Sequence, residues 1–208
     1  MQQRKFIVNL AILIILNLLI KPYWILIIDP GVQHQVGNAN YGEYSELFMF
    51  SFLLTIFLDF GLTNFNNKNI AQNNHLLSKH FSSLLSIKFV LGIIYVALTM
   101  LGAFIVGYEA RFIKLLFILA INQFFISFIL YLRSNLQGLH LFKTDSIVSV
   151  LDRVIMIVIC FALFLHWFGL EVDIMNYVYA QTIGYSLTAI ITFWIVLKET
   201  HTFKLTWN

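Results

Sequence analysis

The sequence predicts an all-α integral membrane protein, a six-transmembrane-helix bundle. Three observations carry that prediction. The 208 residues are 60% hydrophobic and 11% charged, where a soluble domain is roughly 45–50% apolar and about 25% charged; mean hydropathy is +0.83. The apolar residues gather in runs of about 20, the length that crosses a hydrocarbon core as helix. The runs do not alternate as barrel strands do, and a helix satisfies its backbone N–H groups without water.

The first span is read at Phe6–Ile28. Its start, MQQRKFIVNLAILIIL, has the basic flank and apolar core of a secretion signal. It lacks a small-x-small cleavage site, and the run continues through Lys21-Pro22, so an uncleaved span is expected. Asn17 and Lys21 are four apart and share a helix face. Pro22 removes the hydrogen bond to Leu18, which predicts a kink or local opening. Two readings stay open: a polar face turned into the bundle, or a Lys21 that snorkels outward beside a proline that only bends a packed helix.

The second span, Gly42–Thr63, carries Ser51, Thr55 and Asp59 at four-residue steps. Asp59 pairs with a basic group, lines a cavity, or is solvated near the interface. Then comes LDFGLTNFNNKNIAQNN, with six Asn in the eleven residues Asn64–Asn74. That stretch reads as an inner loop whose amides and Lys68 sit at headgroup level and cap helix ends. Gly61 permits close approach or a bend. Both longer inner connections, Asn64–His80 and Asn135–Ser146, are expected to hold short interfacial helices or turns.

The third span, Phe81–Val106, contains Lys88. The fourth, Phe112–Ser134, has Asn122 and Gln123 at its middle, with Ser127 and Tyr131 following Gln123 at four-residue steps. These line a cavity or hold helices together at about 1 kcal/mol per contact. The fifth, Ile147–Phe168, opens with Asp152-Arg153. Neighbours in a helix point roughly 100° apart, so the two are expected to serve different partners. The sixth, Ile174–Leu197, has the stripe Tyr177, Gln181, Tyr185, Thr188 and Thr192 with Gly184 beside it. Aromatic faces and hydroxyls suit carbohydrate, so the stripe lines a sugar-sized passage; equally it is a helix–helix seam.

Loop charge sets direction. With the N-terminus inside, Arg4, Lys5, Lys68, Lys79, Arg133, Lys143, Lys198 and Lys204 are cytoplasmic, and only Arg111 and Lys114 are outside. Asp29, Glu43, Glu109, Glu171 and Asp173 fall on or near the outer loops. The expectation is one membrane lobe over residues 1–197 and a cytoplasmic tail over 198–208, both termini inside.

Other classes fit poorly. A net charge of +3, scattered, makes no nucleic-acid face. The lone Cys160 allows no intrachain disulfide and no CxxC site. There is no Gly-rich phosphate loop, HExxH or GxSxG, so no enzyme is expected. None of the six His forms a close pair on a helix face at metal spacing; His75 and His80 lie five apart in a polar stretch. No metal and no cofactor are expected.

Two segments carry a family likeness. VGNANYGEYSELFMFSFLLTIFLDFGLTNFNNKNIAQNN and SFILYLRSNLQGLHLFKTDSIVSVLDRV resemble the polysaccharide and O-antigen flippase branch of the MOP transporter superfamily. The likeness lies in Tyr41-Gly42, in Asp59-Phe60-Gly61 with the amides and basic residue beyond, and in the Arg133–Gly138–Lys143–Asp145 loop. It runs along essentially the whole chain; related multidrug exporters share the outline of the first motif. The resemblance implies two six-helix lobes facing a central cavity. It also implies an undecaprenyl-diphosphate-linked oligosaccharide flipped between leaflets of a bacterial inner membrane by alternating access, without ATP, for lipopolysaccharide or another surface polysaccharide. Lys21, Lys88, Arg133 and Arg153 would attract the diphosphate, with Asp59 and Asp152 as counter-charges or cation sites. Asn17, Gln123, Gln181 and Tyr185 complete the candidate cavity residues.

Family members have twelve or more spans, and six are read here. The expectation is a truncated or split reading frame; the alternatives are self-association or a separate second half. Two rival functions stand beside flipping. A cation-coupled multidrug exporter of the same superfamily predicts a functional carboxylate within the first span, where Asp29 lies only at the outer edge. A non-transporting membrane subunit predicts in-span polar groups that contact only one another.

Overall fold

The computed structural model describes residues 2–169 and 171–200, so most of the expected tail lies outside the described residues. Among the described residues eight α-helices follow one another and there is no strand. Five helices are long and apolar enough to cross a membrane, or six spans if one bent pair counts as a single crossing. The chain is a multi-pass, all-α membrane bundle.

The first segment is longer than its apolar run. Helix α1 (Gln2–Tyr23) passes into a π-helical turn, Trp24–Ile28, and then into α2 (Asp29–Val36). Pro22 sits inside α1, and the widened turn follows it directly, which is the local opening that a missing N–H invites. Asp29 is therefore not in a loop. Pro30 occupies the first turn of α2, where a missing N–H costs least. The helix ends at Gly37, whose φ of +84° suits glycine.

The second segment breaks. Helix α3 (Asn38–Leu53) tightens into a 3-10 turn, Leu54–Leu58, stops at Asp59–Gly61, and resumes as α4 (Leu62–Gln72), bent by 44°. Phe60 and Gly61 both have positive φ, at +43° and +83°. The Asp59 carboxylate accepts from the Thr63 amide at 3.2 Å and the Thr63 hydroxyl at 2.6 Å, which holds the first turn of α4. The amide-rich stretch, expected as an inner connection with a short helix or turn, is mostly this helix. Asn66 is buried and donates to Ser134 and Asn135, while Asn67 donates to Gln137. Asparagine is a poor helix former in isolation; here tertiary hydrogen bonds outweigh that preference.

Helices α5 (Leu76–Val106), α6 (Ala110–Gly138), α7 (Phe142–Phe164) and α8 (Ile174–Glu199) complete the bundle. The α6–α7 connection is shorter than expected, only 139–141, because α6 continues past Ser134. Helix α6 is central and packs on α3, α4, α5, α7 and α8; α7 also packs on α1 and α8. Three close approaches need glycine: at Gly92 a Cβ would lie 2.5 Å from the Phe124 ring. A Cβ on Gly138 would lie 2.7 Å from Ile70 Cβ, and one on Gly184 would lie 2.6 Å from Met156 Cγ. Large apolar side chains such as Leu26, Leu53, Ile93 and Phe104 remain exposed, the arrangement that lipid solvates.

Candidate functional site

Three cavities are linked by shared wall residues, the first against α6, the second between α1, α6, α7 and α8, and the third against the first segment, α3, α7 and α8. The first, about 460 Å³, flanks the break in the second segment, with Asp59, Thr63 and Asn64 facing Gln123, Ser127, Arg133 and Gln137 of α6. The second, about 140 Å³, is bounded by Lys21, Arg133, Ser149, Asp152, Arg153 and Tyr185. It shares Ile126, Leu130 and Arg133 with the first. The third, about 280 Å³, is walled by Trp24, Asp29, Tyr41, Tyr44, Tyr177 and Gln181, and shares Arg153 and Tyr185 with the second. A separate cavity of about 450 Å³ lies by the turns before α3, α6 and α8, beside Glu43, Arg111 and Asp173, and shares no wall with these three.

The charges are held in different ways. Lys88 of α5 is buried and donates to Asp59 at 2.6 Å, Ser127 at 2.9 Å and the Leu58 carbonyl at 3.0 Å. This bond set ties α5 and α6 to the break and satisfies all three ammonium donors. Arg133 makes a two-pronged pair with buried Asp145, at 2.6 and 3.2 Å, and Gln137 donates to the same carboxylate at 3.0 Å. Arg153 has no carboxylate as close, and it donates to Met156 Sδ at 3.8 Å. Its nearest carboxylate is Asp152 at 3.7 Å. Its guanidinium lies 5.3 Å from the Trp24 ring and 5.8 Å from the Tyr185 ring, cation–π distances that hold a planar charge without neutralising it.

Eight of the ten sequence-chosen residues line these cavities: Lys21, Asp59, Gln123, Arg133, Asp152, Arg153, Gln181 and Tyr185. Two do not. Lys88 is not a cavity cation but the buried partner of Asp59, since the two meet across the helix break. Asn17 donates to Ser149 of α7 at 3.1 Å and so fixes α1 behind the second cavity. Asp152 and Arg153, expected to serve separate partners, lie within ion-pair range of each other at 3.7 Å. The stripe on α8 divides. Tyr177, Gln181 and Tyr185 line the third cavity, while Thr188 and Thr192 are buried in the seam.

Sequence reasoning missed Asp29 and Trp24. Tyr177 donates a short hydrogen bond to Asp29 Oδ1, and Trp24 stacks on Tyr177 with ring centres 5.9 Å apart. A signal was present: Asn17, Lys21 and Asp29 stand at multiples of four, so the polar face of α1 continues beyond Pro22.

Comparison with known proteins adds one finding. A family model described as "Polysaccharide biosynthesis protein" matches residues 6–206. No curated protein and no solved structure matches the chain.

Proposed function

We propose that this chain, which belongs to the polysaccharide biosynthesis protein family, moves an undecaprenyl-diphosphate-linked oligosaccharide across the bacterial inner membrane. The observation that carries this reading is the set of three linked cavities with Lys21, Arg133 and Arg153 on its walls. Cations inside a membrane bundle are costly and mark pathways for charged or polar cargo. In this reading the cations draw in the diphosphate, and amides, hydroxyls and aromatic rings accommodate the sugar. Both termini are cytoplasmic, and transport proceeds by alternating access with no bond made or broken. The cavities lie in one lobe, and an opposing lobe closes them: the remainder of a longer chain, a partner chain or a second copy.

The test is complementation. In a strain lacking its own flippase, the chain expressed with any second half restores surface polysaccharide. Trapping of the lipid-linked sugar in the cytoplasmic leaflet, despite good membrane expression, sinks the proposal.

One observation favours a second reading, the cation-coupled multidrug exporter. Asp29 lies inside a continuous first helical segment and faces the third cavity, so the carboxylate which that reading requires is present. Dye efflux driven by a cation gradient and abolished by Asp29→Asn supports export. Absence of efflux, with polysaccharide restored, removes it.

A further inference from the structure

We propose that the third cavity, between α1–α2, α3 and α8, is a saccharide subsite that takes one sugar ring; this rests on the lipid-linked sugar reading above. The cavity joins three kinds of group. Trp24, Tyr44 and Tyr177 form a packed aromatic wall: Trp24 stacks on Tyr177, and Tyr44 meets Tyr177 edge-on with centres 5.5 Å apart. Gln181 donates to the Tyr44 hydroxyl at 3.0 Å, and Tyr177 donates to Asp29, so the wall is held in place by hydrogen bonds. Arg153 stands at the junction with the second cavity.

The mixture selects by exclusion. An anion in this cavity meets the Asp29 carboxylate. A cation meets Arg153. A purely apolar ligand leaves the remaining lone pairs of Asp29 and the remaining N–H donors of Gln181 and Arg153 desolvated and unused. A neutral polyhydroxylated ring satisfies all of them. Its hydroxyls donate to Asp29, which offers about four acceptor sites where phenols occupy at most two. They accept from Gln181 and Arg153, and the C–H face packs on the aromatic wall. The volume of about 280 Å³ falls just below the roughly 300–1,000 Å³ of pockets for drug-sized ligands, so it holds one ring and not a chain of them. A ring seated here puts its attached phosphates toward the second cavity and Lys21.

The experiment uses the full chain together with any second half, as in the complementation, in lipid nanodiscs and two probes: undecaprenyl diphosphate, and the same lipid carrying one N-acetylhexosamine. Wild type is expected to bind the glycosylated lipid about ten-fold more tightly, the worth of one or two hydrogen bonds. Asp29→Asn and Gln181→Ala each reduce that preference to near unity and leave bare-lipid affinity within about two-fold. Unchanged bare-lipid binding marks a variant as folded; if one variant loses it, the other carries the test. Equal wild-type affinity for the two lipids, or a preference that survives in a folded variant, overturns the subsite and leaves the transport reading standing. Failure of wild type to bind either lipid overturns both.

Discussion

At the break in the second segment, Lys88 uses all three donors on Asp59, Ser127 and the Leu58 carbonyl. In α7, Arg153 lies against two aromatic rings with its nearest carboxylate 3.7 Å away. Both are cations inside an apolar bundle, and both were drawn from the sequence as equivalent cavity candidates. The difference is satisfaction. Lys88 has no donor left for a ligand, so its job is structural: it holds a bent helix against α5 and α6. Arg153 pairs only loosely with Asp152, keeps guanidinium donors without short carboxylate partners, and faces two cavities. Arg133 stands between the two, lining cavities yet clamped by Asp145 and Gln137. A membrane cation whose donors are all taken is scaffold; one whose donors are not is available to cargo.

The largest effect that tests this contrast is expected at Lys88. Lys88→Met leaves Asp59 beside the break without its counter-charge. The cost is about 3 kcal/mol, the low end for breaking a buried pair because the Asp59 side chain is 33% exposed. Thermal unfolding in detergent reads it as a clear drop in midpoint. The double variant Lys88→Met with Asp59→Asn recovers most of the loss, since no lone charge remains. A Lys88→Met protein as stable as wild type but unable to transport reverses its assignment.

The next effect belongs to the same clamped region. Gly138→Ala places a methyl group 2.7 Å from Ile70 Cβ and 3.1 Å from the Asn67 carbonyl, and neither atom is the end of a flexible chain. Overpacking costs about 1–3 kcal/mol, offset by about 1 kcal/mol of helix propensity gained over glycine. The net loss is about 1 kcal/mol, and it pushes α4 from α6. Faster proteolysis near Asn64–Asn74 with an unchanged far end of the bundle confirms that α4 docks through this contact; an unaltered cleavage pattern refutes it.

These regions differ also in how far the sequence revealed them. Long apolar helices were legible from run length, and the polar residues of α6 and α8 from four-residue spacing, because both are properties of one helix. The Lys88–Asp59 pair was not, since it joins residues 29 apart through a helix break that hydropathy does not register. The amide stretch reads as an inner connection with a short helix or turn, but not as an eleven-residue helix docked on α6, because that helix depends on Asn66 reaching Ser134 and Asn135. Asp29 falls at a span edge in the sequence because the apolar run ends at Ile28. The π-helical turn before it lets the helix continue.

The smallest effect on stability, and the sharpest on the contrast, is expected at Arg153. Arg153→Met removes two cation–π contacts, worth about 0.5–1 kcal/mol each where partly exposed. It also relieves the desolvation of a guanidinium inside the bundle, which offsets that loss, and Asp152, 3.7 Å away, keeps Lys21 and Arg133 on the walls of the same cavity as counter-charges. The methionine stem keeps much of the packing. Unfolding midpoint should therefore move far less than for Lys88→Met, by the equivalent of under ~1 kcal/mol. Transport, read as restored surface polysaccharide, should nevertheless fall at least about ten-fold, since the cation at the junction of two cavities is gone. Arg153→Lys keeps the charge but not the planar fork, so partial activity assigns Arg153 to charge and none assigns it to geometry. A stability loss matching that of Lys88→Met, with transport falling only in proportion to folded protein, makes Arg153 scaffold as well and erases the distinction between the clusters.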